Sequence, residues 1–281
     1  MSSIFLESLD FAPTAEDFVL FTFILCRISG MLVIAPLLTA KNLGVYVRMF
    51  LSIFLSLLVL MALYKYYRGP HPFFQSRSLG ALQGSWIFLL LTTLKELAVG
   101  YLLGFCFTLI FEATLLAGTI IDAMTGFATA ESYDPISAIG HSYFTPILGF
   151  FVLLLALALD LHHQFIKVLS DSFIAIPFGD YNMPNEAMTQ VLTSGTSRIF
   201  TYGLKIATVP FISLSLGIIG VGFVARIVPE FNPLLMGLPM RVLIALWAMM
   251  MAASHIPPII KDGFLVFQDF SRYLIQLIGG H

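Results

Sequence analysis

Charged residues are scarce in this sequence, and their scarcity excludes most soluble folds. Of its 281 residues, 14 are Lys or Arg and 16 are Asp or Glu, so 11% carry a charge. Soluble domains carry roughly a quarter. Because 58% of the residues are hydrophobic and the mean hydropathy is +0.93, the charge present is too little to solvate a soluble surface. The composition therefore predicts a membrane protein.

An excess of basic charge and a cysteine cluster are also missing. The formal net charge is −2 and the pI is about 6.3, whereas a nucleic-acid-binding domain presents a basic face. The two cysteines, Cys26 and Cys106, stand far apart in apolar segments without a CxxC motif. We expect them to be small buried hydrophobic residues rather than ligands. Neither a cofactor, a metal nor a nucleic-acid partner is predicted.

What the sequence has instead is a series of long apolar stretches. The six clearest are Phe18–Leu38, Met49–Tyr64, Trp86–Ile121, Thr145–Leu159, Ile206–Ala225 and Val242–Ile260. A helix needs about 20 residues to cross the hydrocarbon core of a bilayer, and open sheet edges do not occur in lipid. Since the stretches lack an alternation of period two, the sequence predicts an all-α, polytopic membrane protein of about six hydrophobic segments.

The irregularity of these stretches predicts broken helices and helical hairpins. Only the last two reach spanning length without a formal charge, and Trp86–Ile121 is too long for one span. The charges that interrupt it are Lys95, Glu96 and Glu112. The polar connection Gly179–Ser197 starts a new helix around its Pro-Asn-Glu. Without a convincing internal repeat, we expect one membrane domain, 1–281, whose candidate structural halves are 1–179 and 180–281.

Charges placed inside or beside apolar stretches are the most unusual feature. Arg27 lies near the middle of Phe18–Leu38. The others are Lys95, Glu96, Glu112, Asp122, Lys205, Arg226 and Arg241. Each central charge costs about 2.5–3.5 kcal/mol when it faces lipid, so these groups need partners, water or one another. Lys205 and Arg241 are expected to snorkel to the interface, whereas Arg27 is expected to anchor a neighbouring helix.

A polar stripe follows the fourth apolar stretch. At helical spacing it comprises Asp160, His163, Gln164, Lys167 and Asp171. Three interpretations compete. A metal site needs converging ligands, but the adjacent His162 and His163 are expected to diverge on a helix, and HExxH is absent. A proton relay is a second interpretation. An amphipathic helix leaving the membrane is the interpretation that we favour.

Small residues at a spacing of four indicate close helix contacts. Gly100 and Gly104 form a GxxxG, and the other small-xxx-small pairs are Ser213–Gly217, Ser52–Ser56 and Ala113–Ala117. One such pair is common in membrane helices. Several together predict that helix packs on helix, within the chain or with neighbouring subunits.

The segment Asp122–Pro146 carries both charges and large apolar residues. Asp134-Pro135 breaks any helix, because the residue before a proline leaves the α region. Non-helical backbone at membrane depth survives only inside protein or along a cavity. A polar exterior loop is the alternative, but the apolar content favours a re-entrant or pore-occluding loop.

At these residues the sequence resembles the FliR family, the flagellar export-gate membrane proteins, and their injectisome relatives. The likeness extends over nearly the whole chain and rests on the order and spacing of its motifs. They are Arg27-Ile-x-Gly30 with Ala35-Pro36, Gly126-Phe127 with Asp134-Pro135, Leu159-Asp160-x-His162-His163, Ser172-Phe173 with Pro177-x-Gly179, Arg226-Ile-x-Pro229-x-x-Asn232, and Gly237-x-Pro239. Leu161 departs from the family pattern, in which glycine is expected before the histidine.

The resemblance implies a channel-forming subunit of the flagellar type III export gate, at the basal body in the bacterial inner membrane. It would join FliP and FliQ subunits in a helical ring, with FlhB and FlhA nearby, and pass unfolded flagellar subunits. The segment Gly126–Ile139 would plug the closed pore. The plug residues are Gly126, Phe127, Ala128, Tyr133, Asp134, Pro135 and Ile136. The candidate assembly contacts are Arg27, Glu112, Asp122, Asp160, His163, Lys205, Arg226, Pro229 and Asn232.

Other functions remain open at this point. The homologous subunit of a virulence injectisome is one, although the motif around Gly126 favours the flagellar system. A proton-coupled secondary transporter using Asp160, His163 and Lys205 is another. An enzyme is not expected, because the sequence contains neither a nucleophile–base pair nor a metal-ligand spacing.

Overall fold

The computed structural model describes residues 15–34, 45–66, 86–126, 142–176, 178, 185–228 and 233–279. Apart from short turns and helix ends, these ranges are α-helical and contain no strand, as predicted. The described helices are α1 (Ala15–Ile34), α2 (Val45–Tyr66), α3 (Trp86–Thr125), α4 (Phe144–Ala158), α5 (Leu161–Ala175), α6 (Asn185–Ile227), α7 (Pro233–Ala252) and α8 (Ile256–Gly279).

The helices have the lengths and composition of a polytopic membrane protein. Three of them, α2, α3 and α6, are long and apolar enough to cross a membrane. Two further spans arise if the bent pairs α4–α5 and α7–α8 each count as one. The predicted class of protein is therefore confirmed, together with its broken helices.

The position of the breaks differs from the prediction. Trp86–Ile121 was expected to be interrupted, but it lies within one continuous helix of 40 residues, Trp86–Thr125. Lys95, Glu96 and Glu112 do not break it, because charged side chains leave the main-chain hydrogen bonds of a helix intact. Conversely, the uncharged stretch Val242–Ile260 is divided by a turn between α7 and α8, which are bent by 62°.

The bend between α4 and α5 is set by the backbone of Asp160. Its φ of 55° lies in the left-handed region, and the two helices meet at 69°. The predicted amphipathic helix is present as α5, but it begins at Leu161. Asp160 is therefore in the turn and does not belong to the helical stripe.

The helix α6 is longer than its apolar stretch. It begins at Asn185, where the sequence predicted a new helix, and continues for 43 residues through Pro210. Proline removes one main-chain donor, a loss that packed membrane helices tolerate. The polar residues preceding Ile206 therefore prolong the helix instead of ending it.

The chain divides into two compact units that are interleaved in sequence. The first contains Met1–Phe105, Leu169–Met183 and Ile275–His281, and the second contains Cys106–Val168 and Pro184–Leu274. In the first unit α1 packs against α2 and against the N-terminal half of α3.

The second unit has an aromatic core around Phe107. Its ring centroid lies 5.0 Å from that of Phe165 and 5.3 Å from that of Phe267. Phe111 and Phe264 complete the cluster, with their centroids 5.8 and 6.0 Å from that of Phe107. Helices α6 and α7 pack together in the same unit, where Gly217 faces Ile244. This core is formed by residues far apart in sequence.

Candidate functional site

The first unit contains a fully buried ion pair between α1 and α3. Arg27 and Glu96 have no exposed side-chain surface. Both Nε and Nη2 of Arg27 lie 2.6 Å from the same carboxylate oxygen, Oε2 of Glu96. The guanidinium has five donors, and two more of its contacts go to main-chain carbonyls: Nη1 donates to Ser172 at 2.9 Å and Nη2 to Ile176 at 3.3 Å. One arginine thus ties together three separate segments of the chain.

Aromatic rings enclose the same guanidinium. Its central carbon lies 4.8 Å from the centroid of Phe173 and 5.2 Å from that of Phe178. Phe178 also stacks on Phe23. A cation over a ring face is attracted by the ring quadrupole, more strongly where water is excluded. Arg27 is consequently satisfied inside the chain, and its role as an assembly contact stays a prediction.

Glycines make this buried pair sterically feasible. A Cβ on Gly100 would lie 2.0 Å from the carbonyl oxygen of Arg27, and one on Gly104 would lie 2.7 Å from that of Met31. A Cβ on Gly30 would likewise lie 2.5 Å from the carbonyl oxygen of Leu97. The backbones of α1 and α3 are therefore in direct contact. The GxxxG prediction of a close helix contact is confirmed, and its location is within the chain.

The second unit holds a buried carboxylate near the end of α3. Oδ1 of Asp122 accepts hydrogen bonds from the main-chain N–H groups of Tyr143 and Phe144, at 3.0 and 2.9 Å. Oδ2 accepts from the N–H of Thr145 at 3.0 Å and from its hydroxyl at 2.7 Å. These donors lie at the start of α4, where main-chain N–H groups lack helical partners. Asp122 therefore caps α4 from a distant position in the sequence.

The other charged residues predicted as contacts are exposed. Glu112, Lys205 and Arg226 all lie on the surface of the described structure. The ammonium of Lys205 stands 4.8 Å from the ring centroid of Tyr202, and in the described ranges it forms no ion pair with Asp160. Of the three residues proposed for a proton path, Asp160 and His163 are therefore neighbours, whereas Lys205 has a different described contact.

The turn before α5 brings two histidines beside Asp160. Nδ1 of His163 lies 3.5 Å and Nε2 of His162 lies 4.0 Å from Oδ1 of Asp160. The prediction that these histidines diverge is wrong, since their ring centroids are 4.2 Å apart. Both occupy the first turn of α5, and the left-handed Asp160 folds back towards them. The side chains of Asp160 and His163 are mostly exposed, so their geometry alone assigns no metal to them.

Most of the predicted plug lies outside the described residues, as do two candidate assembly contacts. The plug residues concerned are Phe127, Ala128, Tyr133, Asp134, Pro135 and Ile136, and the contacts are Pro229 and Asn232. Gly126 is described: it is buried and has a φ of 89°, a conformation that favours glycine. Their roles remain predictions.

Several residues of the two buried sites were not predicted from the sequence. Ser172 and Ile176 bind Arg27 through carbonyl groups, which every residue carries, so sequence contains no signal for them. Thr145 was missed as a partner of Asp122. Glu96 was recognised as an unusual charge but not as the partner of Arg27. Opposite charges in two apolar stretches were the available signal for that pair.

The fold and these two sites define a class: a polytopic α-helical membrane protein in which the buried charges of Arg27, Glu96 and Asp122 are satisfied within the protein. The sequence of the chain matches the family model of bacterial export proteins, family 1, over residues 18–266. The chain belongs to this family, as a member of its FliR branch.

The relatives are flagellar biosynthetic proteins called FliR. The protein of Pectobacterium carotovorum is 26% identical over 253 residues, which cover 89% of this chain and 91% of the relative. That of Bacillus subtilis is 26% identical over 196 residues, covering 68% and 74%. That of Escherichia coli is 28% identical over 192 residues, covering 68% and 72%. The chain is therefore a membrane protein of the flagellar export apparatus.

Proposed function

We propose that this chain is a channel-forming subunit of the flagellar type III export gate, through which unfolded flagellar subunits cross the inner membrane at the basal body. The observation that carries the proposal is the family match, which extends over residues 18–266 and so includes every described helix at least in part. Its role is structural rather than enzymatic. FliP and FliQ are its proposed ring partners, with FlhB and FlhA nearby.

Uncovered apolar surface supports an assembly. Only 11% of the apolar segment of α2 and 28% of that of α6 are buried within the fold. Large side chains project from both helices, such as Phe50 on α2 and Phe223 on α6, which are 72% and 64% exposed. Lipid or another apolar helix must cover such faces. The exposed Glu112 and Arg226 need polar partners if they lie at membrane depth, which neighbouring subunits supply better than lipid does.

The subunit proposal is tested by mild detergent extraction and mass measurement. A tagged chain should copurify with several copies of at least one other membrane protein of the export apparatus. The control is the same extraction followed by a denaturing detergent, after which the tagged chain should run alone. A stable monomer in mild detergent would contradict the proposal, and it would leave Pro229, Asn232 and the exposed charges without a role in assembly.

The segment Gly126–Ile139 is proposed as the plug of the closed pore. Support comes from its position between α3 and α4 and from its mixture of apolar and charged residues. Replacing Gly126–Ile139 with a glycine–serine linker of equal length should let small ions leak through an assembled gate. The control is an equally long replacement within residues 67–80, between α2 and α3. If the plug variant assembles and its membranes stay as tight as those of the parent, the plug assignment is wrong.

The flagellar system is favoured over the injectisome because the relatives reported above are flagellar proteins. The transporter alternative is disfavoured because the ammonium of Lys205 lies over the ring of Tyr202 and, among the described residues, forms no ion pair with Asp160. It has its own test: the purified chain alone, in liposomes with an imposed pH gradient. Accumulation of a small solute that depends on His163 would favour the transporter.

A further inference from the structure

Three side chains of metal-ligand type converge at the turn between α4 and α5. They belong to Asp160, His162 and His163, and one ligand atom from each lies within 4.8 Å of the other two. The closest separations from Oδ1 of Asp160 are 3.5 Å to Nδ1 of His163 and 4.0 Å to Nε2 of His162. The sequence argument against a metal site assumed that the two histidines diverge. Their convergence removes that objection.

The separations are close to those around a bound metal ion. Zn²⁺ binds imidazole nitrogen and carboxylate oxygen at about 2.0–2.2 Å, so the ligand atoms of a tetrahedral site lie about 3.4 Å apart. The separation between Asp160 and His163 already matches this value, and the others must shorten by no more than about 1.4 Å. Because the side chains of Asp160 and His163 are 73% and 70% exposed, small rotations can close the set around an ion.

The backbone of Asp160 produces this convergence. Its φ of 55° lies in the left-handed region, which aspartate tolerates better than most residues other than glycine do. The helix α5 begins at the next residue, so the carboxylate turns back towards the first turn of that helix. Residues held in sparsely populated backbone conformations cluster at functional sites. The turn therefore has the local geometry of a ligand site.

The accessible atoms of the set suit a cation. Nδ1 of His162 is buried without a hydrogen-bond partner among the described residues. Nε2, which faces Asp160, is therefore the nitrogen available to an ion from solvent. Within the described ranges the carboxylate of Asp160 pairs with these two histidines and with no lysine or arginine. No fixed cation in that part of the chain competes with a metal ion for its charge.

We propose that Asp160, His162 and His163 bind a divalent transition-metal ion, and that Zn²⁺ is the ion whose preferences they fit best. Two imidazoles and one carboxylate form a three-ligand set that Zn²⁺ uses with water in the fourth position. Mg²⁺ and Ca²⁺ prefer oxygen ligands, whereas imidazole suits first-row transition metals. A bound ion holds Asp160 against the first turn of α5 and so fixes the turn between α4 and α5.

The helix end at this turn opposes the ion, but only weakly. The first turn of a helix carries partial positive charge, which lowers the affinity of an exposed site for a cation by about fivefold or less. The negative charge of Asp160 acts in the opposite direction. Losing even an outer-shell partner of a metal ligand typically lowers affinity by about 10–100-fold. The ligand set therefore outweighs the helix end.

The test uses the full chain, purified in mild detergent with an affinity tag that lacks histidine. After a chelator has removed bound metal and has itself been washed out, Zn²⁺ is titrated in competition with a coloured chelator. The parent should bind one equivalent at this site. His162→Ala and His163→Ala should each weaken that binding by about a hundredfold or more, since each removes a ligand.

Two further variants separate the ligands from the fold. Asp160→Asn keeps a residue that tolerates the left-handed backbone and removes the negative charge. It should weaken binding by about tenfold or more and leave the helix content unchanged in circular dichroism. His255→Ala is the matched control, because His255 is also exposed and lies in the turn between α7 and α8. Its Nδ1 lies 3.1 Å from the hydroxyl of Ser254, and this variant should bind Zn²⁺ as the parent does.

Thermal unfolding gives a second readout. Zn²⁺ should raise the Tm of the parent and of His255→Ala but not that of His163→Ala, because an ion bound only to the folded state stabilises it. Absence of a stoichiometric site in the parent, or parental affinity in either His162→Ala or His163→Ala, would overturn the proposal and leave an exposed ion pair. Should the histidine variants not accumulate, Asp160→Asn decides: parental affinity overturns the proposal and weakened affinity supports it. Because binding is measured on the purified chain, the result is independent of the proposed export function.

Discussion

Two helices of this protein, α2 and α3, are similarly apolar but have opposite environments. Both qualify as candidate membrane spans, yet 72% of the apolar segment of α3 is buried within the fold, against 11% of that of α2. The buried helix carries the charges Glu96 and Asp122 and the glycines Gly100, Gly104 and Gly118. The exposed helix carries large side chains such as Phe50 and Phe54 on its surface.

The difference shows that apolar composition does not distinguish a lipid-facing or partner-facing helix from a core helix. Glycine allows α1 and α4 to approach the backbone of α3, where polar groups can then meet. A helix covered with bulky side chains holds its neighbours further away. Side-chain size and charge therefore identify the core helix better than apolar content does.

The largest effect is expected at the buried pair of α3. Arg27→Leu should lower the free energy of unfolding by about 3–5 kcal/mol, because it leaves Glu96 buried without its cation. Thermal or denaturant unfolding of the purified chain in mild detergent measures this loss. The matched control is Arg226→Leu, which removes an exposed arginine and should change stability by about 0.5 kcal/mol or less.

A double variant tests the reason for that loss. Arg27→Leu with Glu96→Leu should recover much of the stability, since replacing both members of a buried ion pair by apolar residues is often neutral. A double variant as unstable as the sum of the two single ones would show that the charges do not act as a pair. Such a result would contradict the explanation that α3 can be both charged and buried because Arg27 neutralises Glu96.

The next largest effect is expected from the glycine contact. Gly100→Ala should cost about 1–3 kcal/mol, because its Cβ would meet the backbone carbonyl of Arg27, which cannot move aside as a side chain can. The same unfolding measurement applies. Gly220→Ala is the matched control, since a Cβ there meets nothing within 4 Å. It should stabilise the chain by about 0.5–1 kcal/mol, because alanine has the higher helix propensity.

The smallest effect on stability is expected on α2. Phe50→Ala should change the unfolding free energy of the isolated chain by about 0.5 kcal/mol or less, because this side chain is 72% exposed. In mild detergent extracts, however, it should weaken copurification of the other export-apparatus proteins. A large loss of stability with normal copurification would mean that α2 belongs to the core of this chain.

Some elements of the fold were predictable because their signals are local. The apolar stretches, the scarcity of charge and the start of α6 at Asn185 all follow from neighbouring residues. The breaks were harder to locate. Charges in α3 were expected to interrupt it, but the break fell in the uncharged stretch after Ala252. Main-chain hydrogen bonds decide continuity, and side-chain charge is a poor guide to them.

The candidate sites, like the fold, were predictable only where the signal is local in the sequence. Arg27 was identified because a charge in an apolar stretch needs a partner, and the buried glycine contact followed from the GxxxG spacing. The carbonyl partners of Arg27 and the N–H partners of Asp122 were not identified, because main-chain groups leave no mark in the sequence. The plug residues, Pro229 and Asn232 remain predictions, since they lie outside the described residues.

By itself, the sequence determined that this protein is helical, apolar and a member of the FliR family, because composition and ordered motifs are properties of the chain alone. Only the tertiary structure decided that Arg27 is neutralised by Glu96, that Asp122 caps α4, and that Glu112 stays on the surface. The physical reason is that pairing and burial depend on which helix faces meet. Which faces pack together depends on contacts between residues far apart in sequence, and no local sequence pattern encodes it.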